Sequence, residues 1–207
     1  MGTSSASRDF GTAGEFIDTS SGYNFSSSAG TLLFWQFADA TTTTMQAGGQ
    51  SNGHFCRVLS SNTLSTFLSG SFITSSSTIS DTTWTHFGYK WDAGSSANLT
   101  FYFQGATDGT SSSWSPQSST AAYRLGANGA SGIQNYNGQL CYFGVWSTDL
   151  TTDQVNEAMW RPFAVPGNLE FSMPLWGEST EVDRSGNGRD GTLTGTALST
   201  NGPAIWF

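Results

Sequence analysis

Few side chains in this sequence are equipped for chemistry. His54, His86, Cys56 and Cys141 are its only imidazoles and thiols. No Cys-x-x-Cys pair occurs, which excludes a thiolate zinc site, and two histidines without paired cysteines do not make a catalytic zinc centre. Both cysteines lie in apolar runs and read as two buried reduced thiols, or as a single bridge in an oxidising compartment. Retaining glycoside hydrolysis needs two carboxyl groups about 5–5.5 Å apart. Glu15-Phe16-Ile17-Asp18 lacks that spacing; in the stretch from Glu178 to Asp183, Glu181 and Asp183 share a strand face but Ser185 takes the next position. No Gly-x-Ser-x-Gly elbow supports a serine nucleophile. No catalytic residue is assigned, and the expectation is that the protein is not an enzyme.

Binding offers more. Asp183, Asn187 and Asp190 sit in a glycine-rich loop, and such oxygen donors suit calcium, the one cofactor the sequence suggests; the other reading is a plain polar turn. Sugar recognition needs an exposed aromatic ring flanked by amides. Trp114 in a polar loop fits, as does Tyr136 between Asn135 and Asn137; the other reading is rings folded back onto their own loops. Exposed tryptophan and tyrosine also serve protein interfaces.

Composition sets the outer limits. Charged residues make up 11% of the 207 positions, against about 25% in ordinary domains. Seven basic and fifteen acidic residues give a net charge of −8, and Lys90 is the sole lysine. Such a surface releases few counterions from a phosphate backbone, which excludes nucleic acid as a partner. No apolar run approaches the ~18 residues of a membrane span, so membrane insertion is not expected. No basic segment followed by an apolar one opens the chain, so no secretory signal is expected.

The elements follow from periodicity. Leu32–Phe37, Trp84–Trp91, Leu99–Gln104 and Leu140–Trp146 alternate with period two, are rich in aromatic and β-branched residues, and end in turn formers. In the last run, Leu140, Tyr142, Gly144 and Trp146 fall on one face, and Cys141, Phe143 and Val145 on the other. Further strands are expected near 14–18, 53–59, 63–68, 71–74, 122–126 and 168–175. Ser/Thr-rich stretches at 3–7, 41–44, 75–80 and 106–121 read as loops. One helix stands out: Thr151 and Gln154 form a capping box, Leu150 and Val155 take the hydrophobic-staple positions, and Arg161-Pro162 stops the helix near 160. The pattern predicts an all-β sandwich of two antiparallel sheets with one short helix near 151–160. The expected body is 1–161, and 162–207 is a closing strand and tail packed on it or on a neighbouring subunit.

Trp84-Thr85-His86-Phe87-Gly88, Leu99-Thr100-Phe101-Tyr102-Phe103-Gln104-Gly105, Tyr123-Arg124-Leu125-Gly126 and Tyr136–Trp146 stand in the order and spacing of the laminin-G-like, concanavalin A-like jelly-roll family, which the stretch from about 30 to 160 resembles. The resemblance implies a concanavalin A-like jelly roll and makes His86 a packed strand residue. Glycosidases of this fold carry Glu-x-Asp-x-x-Glu or Glu-x-Asp-x-Glu on one strand, and this sequence has neither. Met173–Glu178 with Asp183–Leu193 resembles a segment that precedes the domain in many relatives; here it follows it. Tails of this kind resemble those of phage and environmental virion proteins. The expectation is therefore a virion-surface component, such as a phage capsid decoration or fibre-like protein, assembled in the host cytoplasm. Its partners would be coat or capsid subunits in a homo-oligomer, with glycan as a further candidate. The alternative is a carbohydrate-binding, lectin-like module of an extracellular bacterial protein.

Overall fold

Aromatic strands buried on alternate side chains need a second sheet to cover them. The computed structural model describes residues 6–25, 29–50, 54–68, 71–94, 98–112, 119–128, 134–177 and 179–205. The first eight strands are β1 (Ser7–Asp9), β2 (Phe16–Thr19), β3 (Ala29–Ala38), β4 (Met45–Gln50), β5 (Phe55–Val58), β6 (Thr63–Leu68), β7 (Ser71–Thr78) and β8 (Thr85–Asp92). Next come β9 (Leu99–Phe103), β10 (Ala106–Ser111), β11 (Tyr123–Leu125) and β12 (Gly138–Trp146). After the helix α1 (Thr152–Trp160) follow β13 (Leu169–Met173), β14 (Thr180–Glu181), β15 (Gly191–Thr194) and β16 (Ala197–Ser199).

The first sheet runs β10-β9-β8-β3-β12-β1-β16, with β13 also paired to β12; the second runs β14-β15-β2-β11-β4-β5-β6-β7. The pairings are antiparallel, and the two eight-stranded sheets form a jelly-roll β-sandwich. Phe34, Phe87, Tyr89, Trp91, Phe101 and Phe143 from the first sheet meet Ile17, Cys56, Val58, Tyr123 and Leu125 from the second in one core. Trp91 lies flat against its cross-strand neighbour Gly30, where an added Cβ would stand 2.0 Å from the indole. Trp91 is fully buried and cannot retreat. Gly30→Ala is therefore expected to lower stability by about 1–3 kcal/mol, read by denaturant titration.

The outer face of the first sheet is also covered, which explains why β3 is apolar on both sides. Leu33, Tyr102 and Trp146 pack with Val155 and Ala158 of α1. The helix begins where the sequence says it should: the Thr151 side chain accepts from Gln154 N, and the Gln154 side chain accepts from Thr151 N. Among the described residues, no helix is long and apolar enough to cross a membrane.

Three expectations change. In β12 the alternation breaks: the register shifts between Cys141 and Gly144, with Tyr142 at φ +51°. This bulge puts Leu140, Phe143 and Val145 inside, and turns Cys141, Tyr142 and Trp146 outward. Stretches 75–80 and 106–121, read as loops, contain the ends or bodies of β7 and β10, and β4 was not expected. The segment from 162 onward supplies four strands, spread over both sheets of the same chain. Cys56 faces the core and Cys141 the outer side of the other sheet, and both are buried free thiols.

Candidate functional site

An aromatic concavity lies on the outer face of the first sheet. Trp35 projects outward from β3, and its Nε1 donates to Met159 O at 3.0 Å, which pins the end of α1 to the sheet. The capping box fixes the helical phase, so Val155, Ala158 and Met159 face inward and Trp160 faces out, 44% exposed. Trp84, just before β8, donates through Nε1 to Asn201 Oδ1 at 3.3 Å, which draws the tail back over the sheet. Between them opens a groove of about 540 Å³ lined by Trp35, Trp84, Gln104, Met159, Trp160 and the Gly202–Ala204 segment. The Trp35 and Trp160 rings are 6.1 Å apart at 59°, so they present two walls rather than one flat shelf.

Polar groups at this groove are few and held. Gln104 Oε1 accepts from His86 N at 3.2 Å, and its Nε2 donates to Trp84 O at 3.5 Å. The His86 ring lies 5.3 Å from Trp35. Its Nδ1 is buried with no hydrogen-bond partner. Burial pushes the His86 imidazole down to about 3, so it is neutral near pH 7 and adds no charge to the site. Indole faces beside side-chain amides suit a flat, hydroxylated ring, whose apolar face stacks while its hydroxyls find donors and acceptors.

The residues singled out from the sequence fare differently. Trp114 lies outside the described residues. Asn135, Tyr136 and Asn137 do border a polar cleft of about 450 Å³, with Gln134, Thr43, Thr44 and residues 11–13. Tyr136 is not the exposed platform expected there, since its ring is 1% exposed. It packs edge-on to Phe10, and its hydroxyl donates to Gln36 Oε1 at 2.5 Å. The cleft thus has amides but no aromatic face. Behind it, burial first and then the Asp39 and Glu15 charges raise the Asp9 carboxyl above its usual range.

Asp183, Asn187 and Asp190 are brought together, and hydrogen bonds from the chain already engage both carboxylate oxygens of Asp183. Asp183 accepts from Ser172 N, Ser185 N, Ser185 Oγ and Arg189 N at 2.8–3.0 Å. Asp190 Oδ1 accepts from Asp183 N, and Asn187 Nδ2 donates to Leu169 O and Glu170 O. The arrangement closes a loop onto β13 with backbone donors, and no cluster of three or more metal-binding side chains occurs among the described residues. Of the acids weighed for hydrolysis, Glu178 lies outside the described residues, and Glu15, Asp18 and Glu181 are engaged by the chain. Glu181 forms a buried ion pair with Arg8, and Asp18 binds Arg124 through both oxygens at 2.7 Å. Sequence reading missed the tryptophan groove because two of its walls come from the helix end and the tail; the signal was Trp84 at the head of its strand and Trp160 on the polar side of the helix.

A family model described as the concanavalin A-like lectin/glucanases superfamily, of laminin-G type, matches residues 11–156. No curated protein sequence matches the chain. Among solved structures, a candidate carbohydrate-binding protein from Bacteroides ovatus superposes with a TM-score of 0.79 at 17% identity over 97% of this chain; the chain spans 61% of that protein's length. A heptameric SAP-like pentraxin from Limulus polyphemus gives 0.66 at 18% identity, covering 93% of this chain and 94% of its own. The extracellular region of zebrafish Gpr126 gives 0.63 at 18%, covering 99% of this chain and 28% of that one. At these identities the likeness is one of fold.

Proposed function

The chain belongs to the concanavalin A-like lectin/glucanases superfamily, and from that premise we propose that it is a non-catalytic carbohydrate-binding module whose binding surface is the tryptophan groove. The carrying observation is that Trp160 and Trp84 frame a 540 Å³ groove beside the Gln104 amide. The name of the Bacteroides ovatus neighbour points the same way. Non-catalytic action is supported by the acids themselves: Glu181, Asp18 and Asp183 are all engaged by the chain. The expected virion-surface role and capsid partners have no support among the similar structures, and the module reading, the alternative drawn from the sequence, replaces them.

The test is a glycan array probed with and without calcium, followed by titration of the best ligand. Trp160→Ala removes a solvent-facing ring and is expected to weaken binding about tenfold or more while the melting temperature holds near wild type. Trp84→Ala should weaken binding as well, at some cost in stability, because its partly buried ring packs on Phe37 and holds Asn201. An array blank in both conditions, or full affinity in both variants, would remove this reading.

A further inference from the structure

The chain holds seven basic side chains. Five of them face a carboxylate: Arg8, Lys90, Arg124, Arg161 and Arg189. Arg184 lies in solvent. Among the described residues, Arg57 alone is half-buried and faces no acid, although the sequence has fifteen acidic residues. Removing a guanidinium from water without a counter-charge is costly, so its surroundings call for an explanation.

Arg57 points to the outer face of the second sheet, away from Cys56 and Val58, which fill the core. Its Cζ lies 4.4 Å from the Phe55 ring centre and 5.0 Å from that of Phe72. Phe55 stacks on Phe67 at 4.8 Å, and Phe67 meets Phe72 at 5.2 Å. Phe72 is 50% exposed, the most open large apolar side chain among the described residues. Nε of Arg57 donates to Gln46 Oε1 at 3.4 Å, and Gln46 is itself fully buried, so one edge of the guanidinium is anchored. Among the described residues, neither terminal nitrogen has a hydrogen bond or ion pair. The result is a fixed, unpaired, forked cation resting on an aromatic sheet face.

A planar fork with free N–H groups recognises a carboxylate in bidentate fashion, and the phenyl faces beside it accept the apolar side of a sugar ring. Three rings and one guanidinium are far smaller than the ~800 Å² per partner of a stable protein interface, which favours a small occupant. We propose that Phe55, Arg57, Phe67 and Phe72 form a second subsite, separate from the tryptophan groove, for an acidic sugar residue: a uronate whose carboxylate takes the free edge of Arg57 and whose ring lies on the phenyl faces.

The test is calorimetric titration of the full chain with tetragalacturonate, with its methyl ester as the neutral control. The acid is expected to bind at least about tenfold tighter than the ester. Arg57→Met keeps an apolar stem on the rings and removes the fork; it is expected to lose that advantage with only a small fall in melting temperature, from the lost Gln46 contact. Arg57→Lys, a point charge without a fork, should recover only part of it. Trp160→Ala should leave the preference for acid over ester intact, which separates this subsite from the groove. Equal binding of acid and ester, unchanged affinity in Arg57→Met, or equal binding of a hexaglutamate peptide would overturn the proposal.

Discussion

Glu181→Gln is expected to destabilise the protein by about 3–5 kcal/mol, because it leaves Arg8 as an uncompensated charge inside the sandwich. Both side chains are 1% exposed, so solvent screens nothing. Glu181 Oε1 accepts from Arg8 Nε at 3.1 Å, from Arg8 Nη2 at 2.5 Å and from Gly177 N at 2.9 Å, while Arg8 Nη2 also reaches Gly177 O. The pair joins β1 of the first sheet to β14 of the second. Arg8→Met should cost a similar amount for the mirror-image reason. The double variant Arg8→Met with Glu181→Leu removes both charges and should recover most of the loss. Denaturant midpoints for the three proteins read this directly; single variants within about 0.5 kcal/mol of wild type would show that the pair is not the clamp its geometry implies. Limited proteolysis should first cut the single variants in the 177–199 segment.

Acid is the second large effect. Burial holds the imidazoles of both His54 and His86 down at about 3. In the unfolded chain they titrate near 6.5. Between those two values the unfolded state binds protons that the folded state refuses. Stability is therefore intact above about pH 6.5 and falls as pH drops toward 3, by up to two protons or about 2.7 kcal/mol per pH unit. Against a typical total of about 5–15 kcal/mol, unfolding is expected before pH 3 is reached. Asp9 opposes this weakly: its folded carboxyl is raised, so the native state takes that proton first and gains stability as pH falls through the raised value. Thermal melts from pH 7 to 4 should show the decline. His86→Phe should remove one proton from the slope, since His86 Nδ1 has no partner to lose. His54 is bound more closely, with Nε2 at 2.6 Å from Tyr89 Oη and its ring stacked 4.1 Å from Phe25. A flat profile would contradict the buried, neutral state of both rings.

Fold class, helix start and most core strands were legible because their causes are local. Period-two aromatics mark strands, and Thr151 with Gln154 marks the cap. Elements whose causes are distant were not legible. β4 carries Gly48 and Gly49, which fit there because Tyr123, Leu125 and Phe55 crowd the space a side chain would fill, and no local pattern announces that. The second half of β7 and the whole of β10 look like loops because these strands lie at sheet edges, where serine and threonine are tolerated on an open face. The bulge at Tyr142 uses a left-handed backbone without a glycine to signal it. At the sites, Asp183 illustrates the limit: an acid among glycines suits a cation or backbone amides equally, and only the fold shows that the amides of Ser172 and Arg189 reach it. Tyr136 was chosen for its amide neighbours, yet Gln36, a hundred residues earlier in the chain, draws its hydroxyl inward.

The register of β1 against β16 puts Ser7 opposite Ser199. The first and last strands, β1 and β16, thus lie side by side in one sheet, and the backbone between them comes close to being a closed ring. On such a ring the point of opening matters little to the finished architecture. A segment that resembles the leading part of other jelly rolls can be translated last and still reach the same edge. Circular permutation is then a small step for this scaffold.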